Sequence, residues 1–514
     1  MEGPIVTNCK RLAGLKTLTL AAIYTLTSGT LVAVAQQEDT GGTQADSRVT
    51  ITGAAFTLDV REETDEGLAL YDQGEDAYDA EDYETANSFY EKACDANYML
   101  ACRDRGWTAH FGYGGPEDYT KAREFYQISC NGGHSSGCSS LGDLFLEGLG
   151  VTEDFPRAME LYTYGCDNGS PYGCKMLGEM HTNGQGVEVD HVTAVEYFEF
   201  ACEGDNADGC GWLGWMHERD LEGVPIDYDA AAQAYEIGCQ NGNDWSCVHL
   251  AYLSEDGNGV EKDLDRTRRL LEETCERDYD SACQQLGYRL YTGVFGEPDF
   301  ENALANYKLA CDLGLGISCA NMSYMYEDGE GTEKSVEKAV VLAGLACELG
   351  DYNVCTRAGL FHYNGDVTPR DYTSSKKYWQ LGCENENYMS CNNIGASYAN
   401  GRGYRKSYTK AREFYELGCA HDIALSCNNL GTIYEYGNSV KIDMKRAMVF
   451  YSKACELDTE QGCAEGGDLV YRGYDDVPAD EKAGLALINK GCAAGNEWGC
   501  NWLEEQGFAR PETE

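Results

Sequence analysis

The sequence predicts an all-α protein, an α/α solenoid superhelix of twelve disulfide-stapled helical hairpins. Three observations carry that prediction. Twenty-four of the 25 cysteines fall into C-x7-C pairs whose first members step by 36 or 37 residues. A small residue stands eight positions before each first cysteine, and in most units an aromatic stands four before it. A Leu-Gly pattern follows many of the second cysteines, and Gly-rich turns separate the units. A period between about 20 and 50 residues marks an array in which each unit buries its apolar face only against its neighbours.

At the N-terminus, Lys10, Arg11 and Lys16 precede a mainly apolar run from Leu18 to Ala35 that ends in a small-x-small site, Ala33-Val-Ala35. This reads as a signal peptide over 1–35, with export to the periplasm or the medium, and its cleavage removes Cys9, the one unpaired cysteine. The alternative is an uncleaved anchor. Residues 36–62 read as a polar linker in which Val49-Thr-Ile-Thr52 could form a short strand. Residues 63–80, with Leu68, Tyr71, Gly74 and Tyr78 on one face, read as a lone capping helix. The repeats occupy 81–507, and 508–514 is a polar tail.

Within a unit, the small residue (Ala86, Ala122 and Ala158, with Thr267, Ser375 and Gly484 as variants), the aromatic (Tyr90, Tyr126, Phe198, Trp379) and the first cysteine lie at offsets of four and eight, hence on one helix face. We term this the A-type helix. The B-type helix follows the second cysteine, as in Cys138-x-x-Leu-Gly-x-x-Phe. Its recurrent glycine (106, 142, 178, 214, 287, 359, 395, 431, 467) costs about 1 kcal/mol in mid-helix. The expected compensation is close packing against the Ala of the A-type helix of the same unit. Turns such as Gly184-Gln-Gly186 and Gly401-Arg-Gly403 end the B-type helix, and an Asp or Ser then starts the next A-type helix.

On one continuous helix, eight residues separate Cα atoms by about 12 Å, beyond the roughly 7 Å that a disulfide bridges. The chain therefore turns between the cysteines, and segments such as Asn131-Gly-Gly-His-Ser-Ser-Gly137 have turn composition. The expected pairs are Cys94 with Cys102, Cys130 with Cys138, Cys166 with Cys174, Cys202 with Cys210, Cys239 with Cys247, Cys275 with Cys283, Cys311 with Cys319, Cys347 with Cys355, Cys383 with Cys391, Cys419 with Cys427, Cys455 with Cys463 and Cys492 with Cys500, each stapling one hairpin. Pairing of each second cysteine with the first of the next unit is the alternative that spacing leaves open.

The pattern A-x3-Y-x3-C-x7-C-x2-L-G over about residues 63–507 resembles the Sel-one-like repeat, and its stapled form is similar to the Helicobacter cysteine-rich proteins. The resemblance implies a concave binding face and an exported protein. It also raises penicillin binding with slow hydrolysis, an activity for which no motif maps residue by residue.

A formal charge of −48 becomes −50 once residues 1–35, with one Glu and three Lys/Arg, are removed. Such a field disfavours nucleic acid and anionic membranes and favours basic proteins, cationic peptides and divalent cations, the alternative being that the acidity only keeps a long exported solenoid soluble. Gly133-His-Ser135-Ser-Gly137 fits a nucleophile elbow only in outline, because it lies between two paired cysteines rather than after a strand. S-x-x-K occurs at Ser335, Ser374 and Ser407 with no K-T-G, and Ser335 and Ser407 fall where a helix cap belongs. No catalytic residue, metal site or cofactor is assigned.

What remains is a surface. Two positions after the second cysteine stand Asn321, Arg357, Asn393 and Asn429 in four consecutive repeats, an in-phase polar ladder suited to a peptide backbone. The competing reading makes each Asn a cap of its own helix. The expected function is an exported scaffold for a protein or extended, cationic peptide. The alternative is a binder of β-lactams or cell-wall fragments with weak β-lactamase-type hydrolysis.

Overall fold

The protein is described from a computed structural model covering residues 49–52, 57–60, 64–365, 369–474 and 478–511. The expected signal segment lies outside the described residues. Among those residues the chain forms 25 α-helices, a 3-10 turn at Tyr352–Val354, and an antiparallel strand pair, Val49–Thr52 with Thr57–Val60. The Val49 stretch within the linker is thus a strand, with Val49 opposite Val60.

The chain divides after Asp263 into two units, each a stack of alternating B-type and A-type helices. The first runs from Asp65–Asp79 to Asp244–Asp256, and the second from Leu264–Cys275 to Glu497–Glu505. Helix starts follow the expected chemistry. Asp118, Asp154, Asp227, Asp299 and Asp443 each accept the backbone N–H three residues on, a cap worth about 1 kcal/mol. Helix ends follow it too, since Gly148, Gly184, Gly257, Gly329 and Gly401 take the left-handed conformation that closes a B-type helix.

Each staple closes a turn of fixed shape. All twelve pairs have Cα atoms 4.4 to 4.9 Å apart. Three residues after every first cysteine the backbone is left-handed. Glycine fills that position at 133, 169, 242, 314, 350 and 495, and Asn97, Asp205, Asp278, Glu386, Asp422 and Asp458 fill it elsewhere. Asn and Asp tolerate this region; Glu386 is the costly occupant.

The recurrent B-type glycine packs differently from expectation. A Cβ on Gly106 would stand 2.6 Å from the Tyr126 ring, one on Gly142 2.8 Å from Tyr162, and one on Gly395 2.7 Å from Tyr415. In each case the ring belongs to the A-type helix that follows, across the Gly-rich turn, not to the Ala of the same unit. These rings are buried, so the glycine makes room for a full aromatic residue. The closest helix pair is accordingly a B-type helix with the next A-type helix, and Asp65–Asp79 is no lone cap: it packs its Gly74 under Tyr90 of Tyr83–Asp95. The staple therefore joins one such hairpin to the next.

Candidate binding face

Successive B-type helices also touch one another along one side of each stack. On that side three positions recur: two before the second cysteine, two after it and five after it. These offsets of four and seven form one stripe. In the second unit the stripe carries Ile317, Asn321 and Tyr324 from Gly316–Asp328, then Arg357 and Leu360 from Cys355–Asn364, then Asn393 from Tyr388–Asn400, and then Leu425 and Asn429 from Ala424–Tyr436.

The four ladder residues are half-buried and in phase, yet their chemistry differs. The Asn321 amide has no hydrogen-bond partner among the described residues. The Asn393 oxygen is approached by the Asn392 amide at 3.4 Å, and its own N–H groups remain unpaired. Asn429 donates to Asn392 Oδ1 at 3.0 Å, and Ser426 donates to the same oxygen at 3.1 Å. Arg357 is held within the fold: it donates to Ser323 Oγ at 3.0 Å, pairs with Glu327, and lies 4.0 Å over the Tyr324 ring. None of the four caps its helix; the flanking positions are Leu315, Val354, Asn387 and Ile423.

Sequence reasoning missed the apolar half of this stripe. Tyr288, Tyr324 and Leu360, all five residues after a second cysteine, are exposed in three consecutive repeats. Their common phase was the available signal. Farther along the second unit, on Glu460–Arg472, burial holds the Glu465 carboxyl above the ordinary carboxylate range against hydrogen bonds from Gln461, Tyr451 and Asn428.

The first unit carries aromatic and acidic residues on the same stripe. Asp143 accepts from Tyr162 at 2.6 Å and Tyr172 at 3.0 Å, and burial pushes its pKa up to about 7. Burial likewise raises Asp104, which accepts from Tyr71, to about 6. At Glu218 burial acts upward, but hydrogen bonds from His249 and Tyr235 prevail and hold it below the usual range.

The serines of the enzyme-like matches occupy structural positions. Ser335 and Ser407 accept the N–H of Lys338 and Lys410 at 3.4 and 3.3 Å as helix caps. Ser374 donates to the capping Asp371, and Ser135 opens the helix Ser135–Glu147.

The Sel1 repeat family description matches residues 67–98, 95–134, 135–170, 171–206, 207–243, 246–279, 280–315, 316–351, 353–387, 389–422, 424–458 and 466–496. The chain belongs to the Sel1 repeat family. Its repeats, so framed, begin on a B-type helix and end after the following A-type helix. Each of the first eleven disulfides consequently links two successive Sel1 repeats, where the cysteine pattern alone had been read as stapling one, and Cys492–Cys500 ties the last repeat to the helix Glu497–Glu505. Among solved structures, a protective antigen of uropathogenic Escherichia coli displaying an SLR fold is 21% identical, with 87% of this chain and 96% of that chain covered and a TM-score of 0.49. Helicobacter pylori cysteine rich protein B is 30% identical over 26% of this chain and 95% of its own, with a TM-score of 0.22. A Sel1 repeat protein from Oxalobacter formigenes is 20% identical over 48% and 97%, with a TM-score of 0.41. Comparison with curated proteins found no match.

Proposed function

We propose that the protein is an exported, non-catalytic scaffold that binds an extended, cationic protein segment along the B-type face of its second unit. The observation that carries this reading is the stripe itself. Unpaired Asn321 and Asn393 amides stand in phase beside exposed Tyr288, Tyr324 and Leu360. Amides can both donate to and accept from a peptide backbone, and exposed aromatics supply anchoring area. Sel1 repeats serve generally in protein–protein interaction, which agrees with the reading. The charge of −48 favours a basic partner. Twelve disulfides fit an oxidising compartment, and among the described residues no helix is long and apolar enough to cross a membrane.

The test is binding of a basic, extended peptide by the oxidised protein before and after Asn321→Ala and Asn393→Ala. Each change removes backbone hydrogen bonds worth on the order of 1 kcal/mol, about fivefold in affinity. Asn429→Ala should do less to binding, because that amide is already engaged with Asn392. If both open-amide variants bind as the wild type does, the ladder reading fails. Robust β-lactam turnover lost on a single change at Ser135, Ser335 or Ser407 would replace the scaffold reading with the hydrolase one.

A further inference from the structure

The first unit contains a cleft of about 420 Å³ between three B-type helices, Pro171–Asn183, Ala207–Glu218 and Asp244–Asp256. It is lined by Lys175, Asp208, Trp212, Trp215, Asn243 and Trp245. The three tryptophans account for three of the seven in the whole chain and remain half-exposed. Their rings are fixed by packing rather than loose: Trp212 lies 5.8 Å from Phe198 at 7° and 5.5 Å from Trp215 at 77°, and Trp245 sits 4.2 Å from His249. Fixed rings with open faces lose little entropy when a ligand arrives.

The charges around the cleft say what such a ligand carries. Lys175 is neutralised by Glu179 at 2.9 Å and lies over the Tyr172 ring. Asp208 has no paired cation among the described residues; its one hydrogen bond comes from Asn243, at 2.7 Å, which orients the carboxylate at the rim. At the C-terminal end of the same helix Ala207–Glu218, Glu218 is bound by His249 and Tyr235. The fold also displays the favoured contact with its own residue, for Arg219 places its guanidinium 4.6 Å over the Trp215 ring. A planar guanidinium can stack on an indole face and fork onto a carboxylate at once, which a neutral or anionic group cannot do.

We propose that this cleft receives an arginine side chain of a protein partner, stacked on Trp212 and Trp245 and paired with Asp208. The proposal rests on the reading of the B-type face as a binding surface, but it concerns the first unit and is separable from the ladder. The aromatic and acidic cleft at Tyr71, Glu75, Tyr90 and Asp104 is a weaker candidate, since both carboxylates there already accept from those tyrosine hydroxyls.

The experiment titrates the full, oxidised protein with acetyl-Gly-Arg-Gly-amide, followed by tryptophan fluorescence and by saturation transfer to the peptide. The comparison peptides replace Arg by citrulline, which keeps the shape and removes the charge, or by Lys. The expected result is saturable binding of the Arg peptide that weakens with salt, roughly tenfold weaker binding of the citrulline peptide, and intermediate binding of the Lys peptide. Trp212→Ala and the surface change Asp208→Asn should each lose most of the Arg preference, while Asn321→Ala with Asn393→Ala should leave it intact. Trp212→Phe guards against misfolding and should retain part of the preference. Equal binding of Arg and citrulline peptides, no binding by either, or an unchanged Asp208→Asn variant overturns the proposal. So does saturable binding of an N-acetylglucosamine trisaccharide in place of the Arg peptide, which would make the cleft a sugar site.

Discussion

Replacing Gly395 by Ala sets two effects of known size against each other. In an open helix the change would add about 1 kcal/mol of stability through helix propensity. Here the new methyl would stand 2.7 and 2.8 Å from two carbons of the Tyr415 ring and 3.2 Å from the Ala411 carbonyl. Tyr415 is only 4% exposed, so the ring has nowhere to go without moving its helix. Overpacking of this kind costs about 1–3 kcal/mol, and a buried ring backed by main chain belongs at the upper end. The net expectation is a loss of about 1–2 kcal/mol. Repeat arrays need not unfold as one unit, so local amide exchange over residues 388–420 is the suitable assay, with protection falling about 5- to 30-fold. The chain suggests its own rescue. In two of the three units that lack the ring the glycine is absent too, with Ala251 before Leu271 and Ser323 before Ala343, while Gly467 before Ile488 keeps the glycine against a branched aliphatic side chain. Tyr415→Leu should therefore suppress the cost of Gly395→Ala, giving a coupling of about 1 kcal/mol. An unchanged or slower exchange in the single variant, or strict additivity in the double, would refute the packing account.

Glu386→Gly should stabilise its turn by about 0.5–1 kcal/mol by relieving a left-handed Glu, read as slower exchange or a higher Tm, whereas Gly133→Glu should do the reverse. Asp143 and Asp104 titrate near 7 and 6, above their unfolded values, so folding favours their protonated forms. Their contribution is fully present below about pH 4, the unfolded carboxylate range, and is lost as pH rises through 6 and 7. Asp143→Asn should accordingly flatten the decline of Tm between about pH 5 and 8, and an unchanged slope would contradict this. Non-reducing peptide mapping should recover the twelve Cys links eight residues apart, and reduction should lower Tm by the loss of staples worth at most about 2.5 kcal/mol each. Recovery of Cys102 linked to Cys130 would count against the assignment.

The array was legible because its signals are periodic and local. Cysteine phase, the Ala–aromatic face, Asp and Ser caps and Gly turns each repeat often enough to be read without a neighbour. What was misread is which helices pair. Sequence adjacency across the C-x7-C turn suggested one hairpin, whereas the aromatic at 126 needs the glycine at 106, twenty residues earlier. The paired absence of ring and glycine at 251/271 and 323/343 held that information. At the candidate face, phase located Asn321 and Asn393 but not their freedom, since an identical Asn at 429 is occupied by Asn392 and Arg357 by Glu327. Hydrogen-bond occupancy depends on neighbours one repeat away, which no single-repeat pattern encodes. Trp212 and Trp215 share the same stripe and were seen only as scattered aromatics, because Asp208, two residues before its cysteine, carried no motif.

The most direct test of the scaffold reading is the affinity of the oxidised Asp208→Asn protein, whose first-unit cleft no longer favours a cation, for an extended Lys- and Gly-containing peptide, measured at low and high salt with and without Asn321→Ala and Asn393→Ala. The account predicts saturable binding that weakens as salt rises and falls about 20- to 30-fold in the double variant, two open amides at on the order of 1 kcal/mol each. Binding insensitive to both salt and the double substitution, or none at any peptide concentration reached, would contradict it.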